Sequence, residues 1–162
     1  MTHEIHRVRV ALLLLLFPLA LAAGGCRSPK PLVEPSEIAA AGSRAQTRGA
    51  ILAALDQNKF TVVSEQPGQI IARTGARKWN MIVAIDYAND VSIRYVNSEN
   101  LDYHLYTGDN AFVSRGTPVI HPGYNKRVER LASAIGTQTA IARAEKRLPP
   151  VGAPPPSKSK TR

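Results

Sequence analysis

Two stretches of alternating apolar and polar residues, Trp79–Tyr87 and Val91–Asn97, constrain this chain more than any other feature. Ala88-Asn89-Asp90 separates them and suits a tight turn. Folding one stretch back on the other sets Tyr87 opposite Val91, Ile85 opposite Ile93 and Val83 opposite Tyr95, all on one side. The other side then carries Asp86, Ser92 and Arg94, with Asp86 and Arg94 forming a diagonal surface pair worth below ~1 kcal/mol. Side chains in a strand change face at every residue, so two strands agreeing in one register point to an antiparallel hairpin with one buried face. Such a sheet needs a second layer to cover it.

The flanking sequence supplies that layer. Phe60–Gln66 and Gln69–Gly75 surround Pro67-Gly68, an order that suits a turn with positive φ at the glycine. A three-residue loop, Pro67 to Gln69, places Phe60, Val62, Ile70, Ala72 and Thr74 on one face, whereas a strict two-residue loop sets Val62 opposite Arg73. A slip of one residue exchanges the faces, so the longer loop is expected. A first helix is expected from about Ala45 to Gln57, with Ser43 as N-cap and Ile51, Leu52 and Leu55 on its apolar face. Asn58, in the left-handed conformation, should end it. A second helix starts near Tyr124 or Asn125, with Val128, Leu131 and Ile135 at i, i+3 and i+7. It ends at Gly136, where glycine costs about 1 kcal/mol against alanine, or frays onward through Ile141. The stretch from His104 to Pro122 reads as irregular. The expected fold is α+β: a two-layer sandwich, an antiparallel four-stranded meander packed against two helices in the order α-β-β-β-β-α.

Composition bears on what surrounds this domain. A single cysteine excludes a disulfide scaffold and any multi-cysteine metal site. The net charge of +9 raises the question of nucleic acid. From Arg143 to Arg162, however, there are six basic residues and one acid, while from Arg44 to Ala142 eleven basic residues face eight acidic ones. Much of the excess thus belongs to a tail, no basic stripe with aromatic stacking partners is visible, and nucleic acid is not an expected partner.

The N-terminus reads as an export signal. A short head with Arg7 and Arg9 precedes an apolar run from Val10 to Ala23, too short for a membrane span and interrupted by Pro18. The run closes as Leu21-Ala22-Ala23-Gly24-Gly25-Cys26, which resembles the lipobox of bacterial lipoproteins, with Ala23 where that pattern prefers Leu or Val. The resemblance implies that the Cys26 thiol takes a diacylglycerol, that the chain is cut before it and that the new amine is acylated, palmitate being one such chain. Arg27 rather than Asp follows the cysteine, which by analogy with the enterobacterial sorting rule implies the outer membrane, with the domain facing the periplasm. The division expected is 1–25 signal peptide, 26–42 acylated cysteine and Pro-rich spacer, 43–142 globular domain, and 143–162 a basic Pro/Ser/Lys-rich tail unable to bury a core.

Within the domain, Gly49 to Ile135 resembles a group of small, largely uncharacterised bacterial lipoproteins. The matching pieces are Ala50-Ile51-Leu52-x-Ala54-Leu55, Phe60-Thr61-Val62-Val63, Pro67-Gly68-x-Ile70, Ile85-Asp86-Tyr87 and Ser92-Ile93-x-Tyr95. The more specific ones are Ser98-x-Asn100-Leu101-x-Tyr103 and Ile120-His121-x-x-Tyr124-Asn125-x-x-Val128. Phe60 and Arg127 depart from the pattern by standing where it has tryptophan. The resemblance implies fold and location, and no activity.

Few residues suggest chemistry. His104 and His121 are the only histidines beyond the signal segment, with Glu99, Asp102 and Asp109 near in sequence. Neither a His-x-x-x-His nor a Cys pair gives metal-ligand spacing, so no metal or other cofactor is expected. His121, just before a helix, is better suited to bonding backbone groups. Arg77-Lys78-Trp79 is the candidate binding cluster, two cations and an aromatic at a hairpin end, able to meet sugar or phosphate by charge and stacking. The expectation is a non-catalytic envelope lipoprotein joined to the membrane through Cys26 and serving as an interaction or structural module. It would touch an envelope protein, or peptidoglycan or lipopolysaccharide through the basic tail. The alternatives are an accessory scaffold in an outer-membrane assembly complex and a periplasmic hydrolase using His104 or His121. Oligomeric state is not legible.

Overall fold

The structure, a computed structural model, describes residues 30–109 and 111–147. The signal segment, Cys26 and the tail from Leu148 lie outside the described residues.

The first helix, α1 (Arg44–Gln57), begins where expected. Ser43 Oγ accepts from the Gln46 N–H at 3.2 Å while Gln46 Oε1 accepts from the Ser43 N–H at 3.1 Å, a reciprocal capping box. Its end differs from expectation. Asn58 sits at φ −96°, and the left-handed residue is Lys59 at φ 59°. The Phe60 N–H donates to Leu55 O at 2.9 Å and the Lys59 N–H to Asp56 O at 3.0 Å, the paired bonds of a Schellman stop. Phe60 then turns into the core.

Four strands follow as an antiparallel meander: β2 (Thr61–Gln66), β3 (Gln69–Ala76), β4 (Trp79–Asp86) and β5 (Ser92–Glu99). They are preceded in the chain by a short strand, β1 (Lys30–Pro31). The β4–β5 register is the expected one at Ile85↔Ile93, Val83↔Tyr95 and Asp86↔Ser92. Arg94 Nη2 lies 2.8 Å from Asp86 Oδ2 on the outer face.

The β2–β3 turn corrects the three-residue expectation. Gln66 pairs with Gln69, leaving Pro67 and Gly68 as a two-residue turn with Gly68 at φ 90°. Val62 is nevertheless opposite Ala72 rather than Arg73, because an extra residue is bulged at Val63. One inserted residue thus corrects the face that the short turn would have reversed. Every residue of β2 is exposed, Val62 included, so this edge strand adds nothing to the core.

The second helix, α2 (Pro122–Arg147), runs through Gly136 without a break. It carries Arg143–Arg147, assigned above to the tail, into the folded unit. Both helices pack on one sheet face. Ile51 and Leu55 of α1 meet Ile70, Ala72, Met81, Val83, Ile85 and Ile93 of the sheet, and Tyr124, Val128, Leu131 and Ile135 of α2 complete the cluster. Full burial of side chains this size contributes roughly 1.5–3 kcal/mol each.

The stretch expected to be irregular holds β6 (His104–Leu105) and β7 (Pro118–Ile120), which with β1 form a small sheet in the order β1-β7-β6. The expected spacer is therefore, from Lys30 onward, part of the fold. Residues 30–42 form a strap along it. Lys30 pairs with Ile120, and the Leu32 N–H donates to Pro118 O at 2.8 Å. Asn125 Nδ2 donates to Pro31 O at 2.8 Å while its Oδ1 accepts from the Val33 N–H at 3.1 Å. Farther along, Ile38 and Val91 exchange both backbone bonds, and Arg143 Nη2 reaches Ala39 O at 3.1 Å. Among the described residues no helix is long and apolar enough to cross a membrane.

Candidate functional site

Trp79 is the first residue of β4, and its ring lies at the sheet end where α2 begins. The Arg127 guanidinium carbon sits 4.4 Å from the centre of that ring, a cation–π geometry. Together they form one wall of a cleft of about 300 Å³. The other walls are Asn100 and Leu101, which follow β5, and His121, Gly123 and Tyr124, where α2 starts. Two stretches distant in sequence, Ser98–Tyr103 and Ile120–Asn125, thus meet around one opening.

Local backbone geometry explains the meeting. Asn100 and Asp102 take left-handed conformations at φ 54° and 55° on either side of Leu101, and this double bend drives the leucine side chain into the core. Leu101 O then accepts from the His121 N–H at 2.8 Å, joining the bend to β7. His121 Nδ1 accepts from the Gly123 N–H at 3.0 Å, so its imidazole caps α2 as the sequence suggested. A proton on Nε2 follows from that acceptor role in the neutral ring.

Tyr124 of the cleft belongs to an aromatic cluster. Tyr95 lies parallel to Tyr103 with ring centres 4.4 Å apart and meets Tyr124 edge-on at 5.6 Å. Burial pushes the Tyr124 phenol above the ordinary tyrosine range, with Tyr95 and Glu34 adding to the shift.

The expected cluster is divided by the fold. Trp79 lines the cleft, while Arg77 and Lys78 are exposed in the turn between β3 and β4. The cation that Trp79 engages is Arg127, brought in by α2. A planar cation thus covers the ring. His104 is not among the lining residues. Its Nδ1 lies 2.9 Å from Asp102 O, on the exposed side of β6. No carboxylate lines the cleft. Among the described residues no group of three His, Cys, Asp or Glu is placed to hold a metal ion. Cys26 lies outside the described residues.

On the opposite side, Arg48 of α1 bridges to Glu65 of β2 through two bonds, Nη2 to Oε2 at 2.8 Å and Nε to Oε1, with the Tyr87 hydroxyl 3.4 Å from Oε1. The bond from Arg48 holds the Glu65 carboxyl below the usual carboxylate range. This pair fixes the edge strand to the helix layer.

Comparison of the chain with protein-family models, with curated proteins and with solved structures gave no match.

Proposed function

We propose that this chain is a non-catalytic envelope lipoprotein, held at the outer membrane by acyl chains on Cys26 and acting by docking its folded domain onto another envelope component. The observation that carries the reading is the character of the cleft: Trp79, Arg127, Asn100 and Tyr124 offer stacking, charge and hydrogen bonds. Of the two histidines, His121 uses Nδ1 to cap a helix, and His104, with the Asp102 carbonyl at 2.9 Å and its carboxylate at 3.8 Å, lies exposed and outside the cleft. These are groups for recognition. Proton transfer would call for an imidazole and a carboxylate aimed at one point.

The strap adds a dimension. Only residues 27–29 separate Cys26 from β1, and those four Cα steps span at most about 14 Å. An anchor at Cys26 therefore keeps the domain against the membrane surface. Three acyl chains exceed the two signals that stable anchoring requires.

Mass spectrometry of the N-terminal peptide of the native protein tests this reading. The expected result is a mature chain beginning at a triacylated Cys26, with Cys26→Ser losing both the acyl label and membrane partitioning. An unmodified thiol at residue 26 would refute it.

A further inference from the structure

We infer that the end of the domain around Trp79 is a binding face for the phosphate groups of an anionic membrane surface. The cleft beside Trp79 is one of three that adjoin one another. It shares Arg127 with a second, which also holds Lys59 and Arg130, and that one shares Lys59 with a third, which holds Arg73. Lys59, Arg73, Arg127 and Arg130 thus line a continuous track, and no carboxylate lines any of the three clefts. Arg77 and Lys78 stand exposed in the turn next to it.

Carboxylates stay out of the lining. Glu99 borders the third cleft, where it accepts from the Asn80 side chain, and Asp56 and Glu129 line none of the three. The ion pairs of the described residues, Arg48–Glu65 and Arg94–Asp86, and the Asp102 carboxylate near His104 involve none of the three clefts' cations. Four cations from three parts of the fold, the turn after α1, β3 and α2, therefore share one surface without a described ion-pair partner. The fold segregates charge that is nearly balanced along the sequence, which is the condition for attraction to an anionic surface.

A membrane is favoured as occupant by where the chain joins the fold. Lys30 pairs with Ile120, the residue before His121 of the cleft, so the strap leaves the domain beside the track. Trp79, half-buried there, is the residue type that settles at a headgroup boundary. Anchoring through Cys26 and attraction at the track would act on the same side of the domain. The inference deepens the anchored reading and rests on it for the nearness of the membrane, but its test uses a chain that cannot be acylated, so each stands or falls separately.

The test follows the fluorescence of Trp79, the only tryptophan in the sequence, in full-length Cys26→Ser protein. It is titrated with phosphatidylglycerol–phosphatidylcholine vesicles, with phosphatidylcholine vesicles, and with inorganic phosphate alone. The signal segment, whose head carries Arg7 and Arg9, is common to every sample, so the track's share is read as the anionic partitioning lost when its own residues are substituted. The expected result is a blue shift and acrylamide protection with the anionic vesicles, weakened by salt. Each Gln substitution at Lys59, Arg73, Arg127 or Arg130 lowers anionic partitioning about fivefold and leaves phosphatidylcholine partitioning unchanged. Arg48→Gln with Arg94→Gln keeps the selectivity, and thermal melts confirm that each variant is folded. Equal partitioning to both vesicle types overturns the inference. So does selectivity that survives the four substitutions together but disappears on deleting residues 148–162. Saturation of the Trp79 signal by inorganic phosphate, with no further effect of vesicles, assigns the cleft to a soluble anion and overturns it as well.

Discussion

Replacing Gly136 with alanine should stabilise the protein by about 1.3 kcal/mol. The position is half-buried inside α2, and a Cβ built there meets only Ile38 Cγ2, at 3.8 Å, an ordinary contact. With no steric cost, the change restores the helix propensity that glycine forgoes, about 0.9 kcal/mol. A half-buried methyl against Ile38 adds about 0.4 kcal/mol, half the value of a buried methylene. For a domain this size an unfolding entropy of about 0.25 kcal/mol/K turns the sum into a rise in Tm of about 5 °C. Gly49→Ala is the internal reference: it lies in α1 and its Cβ would meet nothing within 4 Å, so it should gain the propensity term alone, about 0.9 kcal/mol. Urea unfolding followed by circular dichroism and by Trp79 fluorescence, on both single variants and the double, measures each contribution and their additivity. If Gly49→Ala stabilises and Gly136→Ala destabilises, the reasoning is wrong: the helix would then end at Gly136, where alanine is disfavoured, and the strap would not lie across it.

Asn125→Ala removes both strap bonds and leaves the Pro31 carbonyl and Val33 N–H without that partner, at a cost of about 1–3 kcal/mol. Hydrogen exchange should accelerate at Leu32 and Val33 more than at Ile85. Leu131→Ala, at a fully buried position between helix and sheet, should cost about 2–5 kcal/mol in chemical denaturation. Glu65 has a carboxyl pKa lowered in the folded state, so its contribution to stability is present above the ordinary carboxylate range and is lost as pH falls through the lowered value. Tm measured against pH should therefore fall less steeply on the acid side for Glu65→Gln than for the parent protein.

Much of the sheet and helix layering is readable from local patterns because each operates within a few residues. The alternation dictates the β4–β5 register from Val83 and Tyr95 to the turn, beyond which a bulge at Val96 shifts it, and Ser43 with Gln46 dictates where α1 starts. The β2–β3 turn was misread for a physical reason: a bulge at Val63 leaves no mark in an exposed edge strand, where no buried face demands that the alternation be kept. The strap was misread because three prolines suggest a spacer, whereas Asn125, far along the chain, supplies the bonds that hold it down. The site was half legible. Trp79 could be selected as an aromatic beside two cations, but its pairing with Arg127 depends on how α2 crosses the sheet end. The acid-free track is likewise invisible in a charge count, because it arises from where Lys59, Arg73, Arg127 and Arg130 converge, not from their number.

The strap also gives the molecule two possible leash lengths. While β1 stays zipped to β7, force applied at the N-terminal side acts directly on the small sheet, and the body can swing no farther than the few residues ahead of Lys30 allow. Peeling 30–42 away breaks the bonds at Pro118, Asn125, Val91 and Ala39 in sequence and frees thirteen residues of slack, about 45 Å of added travel. The core layers of helix and sheet lose no strand of the meander in the process. If the chain is anchored at Cys26 as proposed, a pull strong enough to undo these fastenings would convert a close-held body into one that ranges well clear of the surface.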